Sequence, residues 1–161
     1  MDANDQSVCK AATANSAGQS FKIPRTIAIG AAAQMLATAG MISNDILPCL
    51  PVIDTGIDTL TSVHGTCFKR VQIRGERSCR SRGERFSFSL LRRKSKKKDA
   101  GGVYRAVRHR FMPTDIDVFV FVHIVYMRFF IVPVEDIDLT KNRIVLYPGD
   151  KWENAWHYLQ H

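Results

Sequence analysis

Sixteen of the chain's 23 lysines and arginines fall between residues 69 and 110, where the only acidic residues are Glu76, Glu84 and Asp99. That stretch carries +13 on a chain of net charge +8, and the rest is mildly acidic. Each Lys or Arg that displaces a counterion from a phosphate adds salt-dependent affinity. The chemistry open to this segment is therefore binding to a polyanion, either a nucleic acid or an anionic lipid surface. Three further polar residues, Gln34, Asp58 and Gln72, stand beside apolar ones, as does Arg74 of the basic segment. Gln72 and Arg74 alternate with Val71 and Ile73, so on a strand they share one face. Zinc and nucleophilic chemistry find little support. Cys9, Cys49, Cys67 and Cys79 form no CxxC and have no His at ligand spacing. His109 and His123 have no Ser or Cys partner at suggestive spacing, and His64 reads as a turn residue.

The elements that must position these residues follow from patterning. With 161 residues the chain has room for one ordinary domain and a core that needs no metal or disulfide. Residues 1 to 22 lack periodicity and read as a disordered tail, and residues 23 to 161 as one domain. A helix is expected from Ile27 to Ala39, capped by Thr26 and ended at Gly40; apolar almost all round, it should be buried. The apolar run is short of a membrane span. A signal peptide is its rival, because Lys22 and Arg25 precede it, but the run starts late and Asp2 and Asp5 come first. The thiols then read as reduced and the protein as cytoplasmic.

Pro48 and Pro51 confine residues 46–53 to an edge or irregular segment. Residues 59–63 and 66–74 read as a hairpin about His64-Gly65. Its loop length decides the site. A two-residue loop sets Ile57 beside Gln72, whereas a three-residue loop, with Gly65 left-handed, sets Asp58 there. Asp54 reads as a turn residue. Arg85–Leu90 alternates as a strand with Phe86, Phe88 and Leu90 inward. Residues 92–102 read as a mobile basic loop, and Tyr104–Arg110 as a short helix or extended segment. Val118–Val125 and Arg128–Val134 are apolar enough for central strands, and Asn142–Tyr147 is a third. A closing helix is expected after Asp150, with Glu153 completing a capping box and Trp152, Trp156 and Leu159 on one face. The fold class is α+β, one mixed central sheet flanked by helices.

Three short motifs, Gly56-Ile-Asp58, Val71-Gln-Ile-Arg74 and Phe129-Phe-Ile-Val-Pro133, together with the polar Gln34 on the first helix, give a resemblance. The chain resembles the PD-(D/E)XK nuclease superfamily, in the branch of group I intron homing endonucleases and related small bacterial nucleases. The likeness covers roughly residues 27 to 147. It implies a restriction-endonuclease-like fold and a metal-dependent endonuclease acting on DNA, with Mg²⁺ or Mn²⁺ as cofactor. It assigns Asp58 as the anionic metal ligand, with Gln72 and the carbonyl of Ile73 beside it. Arg74 falls at the family's catalytic Lys, and Gln34 at its helix Glu. These are departures: one carboxylate fewer weakens a metal site, and Arg cannot serve as a general base, though it can stabilise phosphate charge. Lys69 falls on the other face of the strand and does not substitute.

The implied partner is DNA rather than membrane. Arg77, Arg80, Arg82, Arg92, Arg93, Lys94, Lys96, Lys97, Lys98, Arg105, Arg108 and Arg110 are the expected phosphate-gripping residues. Cutting both strands from one site per chain implies a dimer or higher oligomer. Two alternatives stand: a catalytically inactive nuclease-fold module that binds nucleic acid, and a protein using Arg92 to Lys98 on anionic lipid.

Overall fold

A computed structural model describes residues 24–51, 57–63, 67–78, 85–98 and 104–160. The reading of residues 1–22, the turn role of Asp54 and the conformation of Gly65 lie outside them. The chain runs α1 (Arg25–Ile42), β1 (Leu47–Cys49), β2 (Thr59–Val63), β3 (Cys67–Glu76), β4 (Phe86–Ser89), β5 (Leu91–Lys98), β6 (Tyr104–Arg110), β7 (Val118–His123), β8 (Arg128–Pro133) and β9 (Arg143–Leu146). The fold is α+β. A mixed five-stranded sheet has the order β1-β2-β3-β7-β8, parallel only between β3 and β7. Arg70 and Asp117 fix the start of that parallel pair. The Asp117 carboxylate accepts from the Arg70 backbone N–H at 2.7 Å and lies 2.6 Å from its guanidinium, while the Asp117 N–H donates to the Arg70 carbonyl at 2.9 Å.

The two faces of this sheet are covered differently. One packs Val71, Ile73, Val118, Val120, Val122 and Ile131 against Ala33, Ala37 and Met41 of α1 and against Trp156 and Leu159. The other packs Phe119, Phe121, Phe130 and Val132 against Phe86, Phe88 and Leu90, with Phe111, Ile116 and Leu146. Aliphatic and small side chains let the helix come close. At Gly75 on β3 a Cβ would stand 2.6 Å from the Ala33 Cβ and 2.9 Å from the Ile29 carbonyl oxygen. The other face is filled by aromatic rings, with Phe88 and Phe121 centroids 4.9 Å apart.

Several expectations need correction. Helix α1 begins after Pro24, without a Thr26 side-chain cap, and continues through Gly40, whose missing Cβ makes room for the Trp156 ring. Only one stripe of α1 is buried, and Met35 is 74% exposed. A single helix laid on a sheet, with no layer above it among the described residues, can hide no more than that stripe. At 18 residues and mean hydropathy 1.2 it is long and apolar enough to cross a membrane, yet Ala33, Ala37 and Met41 are packed in the core. β3 is the middle strand, and around Val71, Gln72 and Ile73 it is buried on both faces, with Gln72 2% exposed, while Phe68 near its start is 56% exposed.

The 92–102 loop is largely strand instead. β5 pairs antiparallel with β6 as a separate two-stranded ribbon, with a register shift between Arg93 and Ser95. Residues 99–103 lie outside the description. Asn142–Tyr147 contributes β9, which pairs with β4 rather than joining the central sheet. No α-helix closes the described chain. Trp152 bonds into β8 through its carbonyl (2.9 Å from the Ile131 N), and Asn154 donates to the Phe129 carbonyl at 2.9 Å. The segment thus spends its backbone groups on the sheet, and a 3-10 turn at Trp156–Leu159 follows. Asp150 and Glu153 accept from the N–H groups of Tyr147 and Gly149. Trp156 enters the aliphatic core and Trp152 the aromatic one, so they do not share a face.

Candidate functional site

The β2–β3 register places the site. Val63 pairs with Cys67 and Thr59 with Val71, so the connection is the three-residue one. One step further, Asp58 falls opposite Gln72, and its N–H donates to the Val71 carbonyl at 3.1 Å. Here β2 ends while β3 continues, leaving the Ile73 N–H without a strand partner on that side. The Asp58 carboxylate takes its place, accepting from the Ile73 N–H through Oδ2 at 2.7 Å. The same oxygen accepts from Gln72 Nε2, which also lies 3.4 Å from the Ile73 carbonyl. Asp58, Gln72 and Ile73 therefore converge.

Gln34 approaches from α1. Its Nε2 donates at 3.4 Å to the backbone carbonyl of Asp58, not to the carboxylate. Arg74 completes the cluster on the aromatic side of the sheet. Its guanidinium carbon lies 4.9 Å from the centre of the Phe111 ring. Burial pushes the Arg74 guanidinium below its ordinary pKa; Asp58 opposes that shift and Arg92 adds to it. Lys69 turns elsewhere and donates to the Tyr158 carbonyl at 2.8 Å.

The donor set can be tested against a metal ion. Among the described residues no three His, Cys, Asp or Glu side chains converge, which argues against a soft or carboxylate-rich centre. What does converge is oxygen. Asp58 Oδ2 and the Ile73 carbonyl flank one positively polarised group, the Gln72 amide nitrogen. A half-turn of that amide presents its oxygen to the same point. One carboxylate, one amide oxygen and one carbonyl fit a hard divalent cation that keeps several waters. No described histidine adds to this set near Asp58. His123 is fully buried, and its ring nitrogens are occupied by the Ser78 carbonyl and the Tyr126 N–H.

The expected phosphate-gripping residues divide by place. Arg92, Arg93, Lys94, Lys96, Lys97 and Lys98 lie on β5, and Arg105, Arg108 and Arg110 on β6. Arg77 is exposed just past β3, whereas Arg80 and Arg82 lie outside the described residues. Sequence reasoning missed Phe111 and Asp115. Phe111 holds Arg74 and Arg92, and Asp115 lies 3.5 Å from Arg92. No local pattern marks either residue, since their contacts come from β3 and β5.

No family model matches the chain, and no curated protein matches its sequence. Its fold does match a solved one. A bacterial homing endonuclease, I-Ssp6803I, superimposes with a TM-score of 0.65, covering 85% of this chain and 94% of that one at 21% identity. The two chains share the fold.

Proposed function

We propose that this chain is a metal-dependent DNA endonuclease of the PD-(D/E)XK type, with Asp58, Gln72, Ile73 and Arg74 forming its reaction centre. The observation that carries the reading is the register that sets Asp58 opposite Gln72 and beside the Ile73 N–H. The shared fold with a homing endonuclease supports it, as does the cationic β5–β6 ribbon beside the centre. Asp58, the Gln72 amide oxygen and the Ile73 carbonyl would hold one Mg²⁺ or Mn²⁺. When bound, such an ion polarises a phosphate and lowers the pKa of its water. The chain's own part is electrostatic and positional. Arg74, partly desolvated on Phe111, sets a fixed positive charge where a phosphate gains negative charge, and costs little reorganisation there. Its side chain is not a proton acceptor, so the reading assigns the water's proton to no residue. The ribbon neutralises backbone phosphates along the duplex.

Supercoiled plasmid with Mg²⁺ or Mn²⁺ tests this. The wild type is expected to nick it, and Asp58→Asn, which keeps an acceptor for the Ile73 N–H while removing the charge, is expected not to. Equal nicking by both would defeat the assignment.

A second reading is favoured by one specific feature. Among the described residues the centre carries a single carboxylate, with amides at positions 34 and 72 and Arg at 74. On that reading the chain is an inactive nuclease-fold module that binds nucleic acid. Calorimetry with Mn²⁺ separates the two: heat of binding in the wild type that Asp58→Asn removes supports the enzyme, and none in either supports the module.

A further inference from the structure

Two cations meet at one aromatic ring. The guanidinium carbons of Arg74 and Arg92 lie 4.9 Å and 5.4 Å from the centre of Phe111. The ring itself is fixed: Phe111 is 2% exposed and stands edge-on to Phe119 of the central sheet, with centroids 5.4 Å apart. Arg92 is the second residue of β5, and Phe111 follows the last residue of β6, so both belong to the foot of the basic ribbon. The Nε atoms of both arginines are buried without a hydrogen-bond partner among the described residues. Each guanidinium also has a carboxylate near it: Asp115 lies 3.5 Å from Arg92, and Asp58 acts electrostatically on Arg74. Two guanidiniums on one ring, each with a buried Nε–H unmatched, offer donors that an anion can satisfy. Guanidinium pairs suit a tetrahedral oxyanion, since each can give a planar fork of N–H groups to two oxygens.

We propose that Arg74 and Arg92, held against Phe111, form a two-guanidinium clamp for a single phosphate group. Its identification with the phosphate that is cut rests on the nuclease reading above; the clamp itself does not. Arg92 then has a role distinct from the rest of the ribbon: it holds the reacting phosphate, while cations further along β5 and β6 hold the duplex. The ribbon's foot thus supplies half of a clamp that is already assembled on Phe111.

The clamp is tested with inorganic phosphate, with chloride at equal ionic strength as reference, by calorimetry and thermal melting. The wild type is expected to bind phosphate saturably. Arg74→Gln and Arg92→Gln are each expected to weaken that binding by on the order of 10-fold or more, since charge-assisted bidentate bonds disappear. Arg92→Lys, which keeps the charge without the fork, is expected to fall between. Lys141→Gln, on the exposed surface, is expected to match the wild type. Arg92→Lys serves in place of Arg92→Gln if the latter melts early. No saturable phosphate binding by the wild type, or binding by the Arg92 variants equal to wild type, overturns the clamp.

The duplex arm measures single-turnover nicking with saturating protein and Mn²⁺. Arg92→Gln is expected to slow it by about 10-fold or more while duplex affinity shifts far less. Phosphate binding abolished in Arg92→Gln, together with no nicking by the wild type, leaves the clamp standing and removes the nuclease reading. Nicking by the wild type and Arg92→Gln at equal rates, with phosphate binding intact, does the reverse.

Discussion

Strands β3 and β5 are both rich in cations, and they are held in opposite ways. In β3 each of these cations has a counterpart. Arg70 lies on Asp117, Lys69 on the Tyr158 carbonyl, and Arg74 on the Phe111 ring with Asp58 near. Between them Val71 and Ile73 are buried under α1, so the strand cannot slip without moving them to the wrong face. In the ribbon the backbone register pairs Arg93 with Arg108 and Lys97 with Arg105, positions that are cationic by sequence on both strands. The difference teaches where the function is divided. On the proposed reading the sheet fixes the reaction centre by burial, and the ribbon offers concentrated positive charge to a polyanion.

The largest expected break in that contrast is at the centre. Asp58→Ala should lower plasmid nicking by on the order of 100-fold or more, as loss of one electrostatic group in a preorganised site does. Duplex affinity without metal should change little, measured by anisotropy, because the ribbon is untouched. Next comes the packing under β3. Gly75→Ala puts a methyl 2.6 Å from the Ala33 Cβ and should destabilise the fold by about 1–3 kcal/mol in urea melts.

The complementary break is in the ribbon. The triple change Lys96→Gln, Lys97→Gln, Lys98→Gln should leave the melting midpoint nearly unchanged and weaken duplex binding. The slope of log affinity against log salt should become shallower by about 0.9 for each phosphate that the variant no longer neutralises. An unchanged slope would remove the ribbon from the interface.

The smallest effect is electrostatic. The Arg70 guanidinium, by direct hydrogen bond, holds the Asp117 carboxyl below the usual Asp value despite partial burial. A depressed folded value means that its stabilisation is complete above the ordinary Asp pKa and is lost as the pH falls through the depressed one. The stability difference between wild type and Asp117→Asn should therefore shrink on acidification below about pH 4. With the carboxylate 35% exposed, that difference should stay within about 1 kcal/mol at neutral pH.

Sequence periodicity was a good guide where one residue's environment is set by its immediate neighbours. The alternation of Phe86, Phe88 and Leu90 marks β4, the unbroken apolar run marks β7, and the clustering of charge marks the ribbon's composition. It misled where backbone partners are distant. The Asp150–Glu153 capping pattern suggests a helix, yet β8 draws the same segment into the sheet, and the residues after Arg92 look unable to pack until β6 pairs with them.

The chain's residues determined on their own that a carboxylate, an amide and a guanidinium stand near a concentrated positive charge, because residue type and count need no fold. Whether Asp58 or Ile57 faces Gln72 could not be settled that way. A strand has a period of two, so one residue more or less in the connecting turn exchanges its faces. Only the pairing of Val63 with Cys67 decided it. The meeting of Arg74 with Arg92 across Phe111 was decided at the same level, since it joins β3, β5 and the end of β6 through tertiary packing that no local spacing encodes.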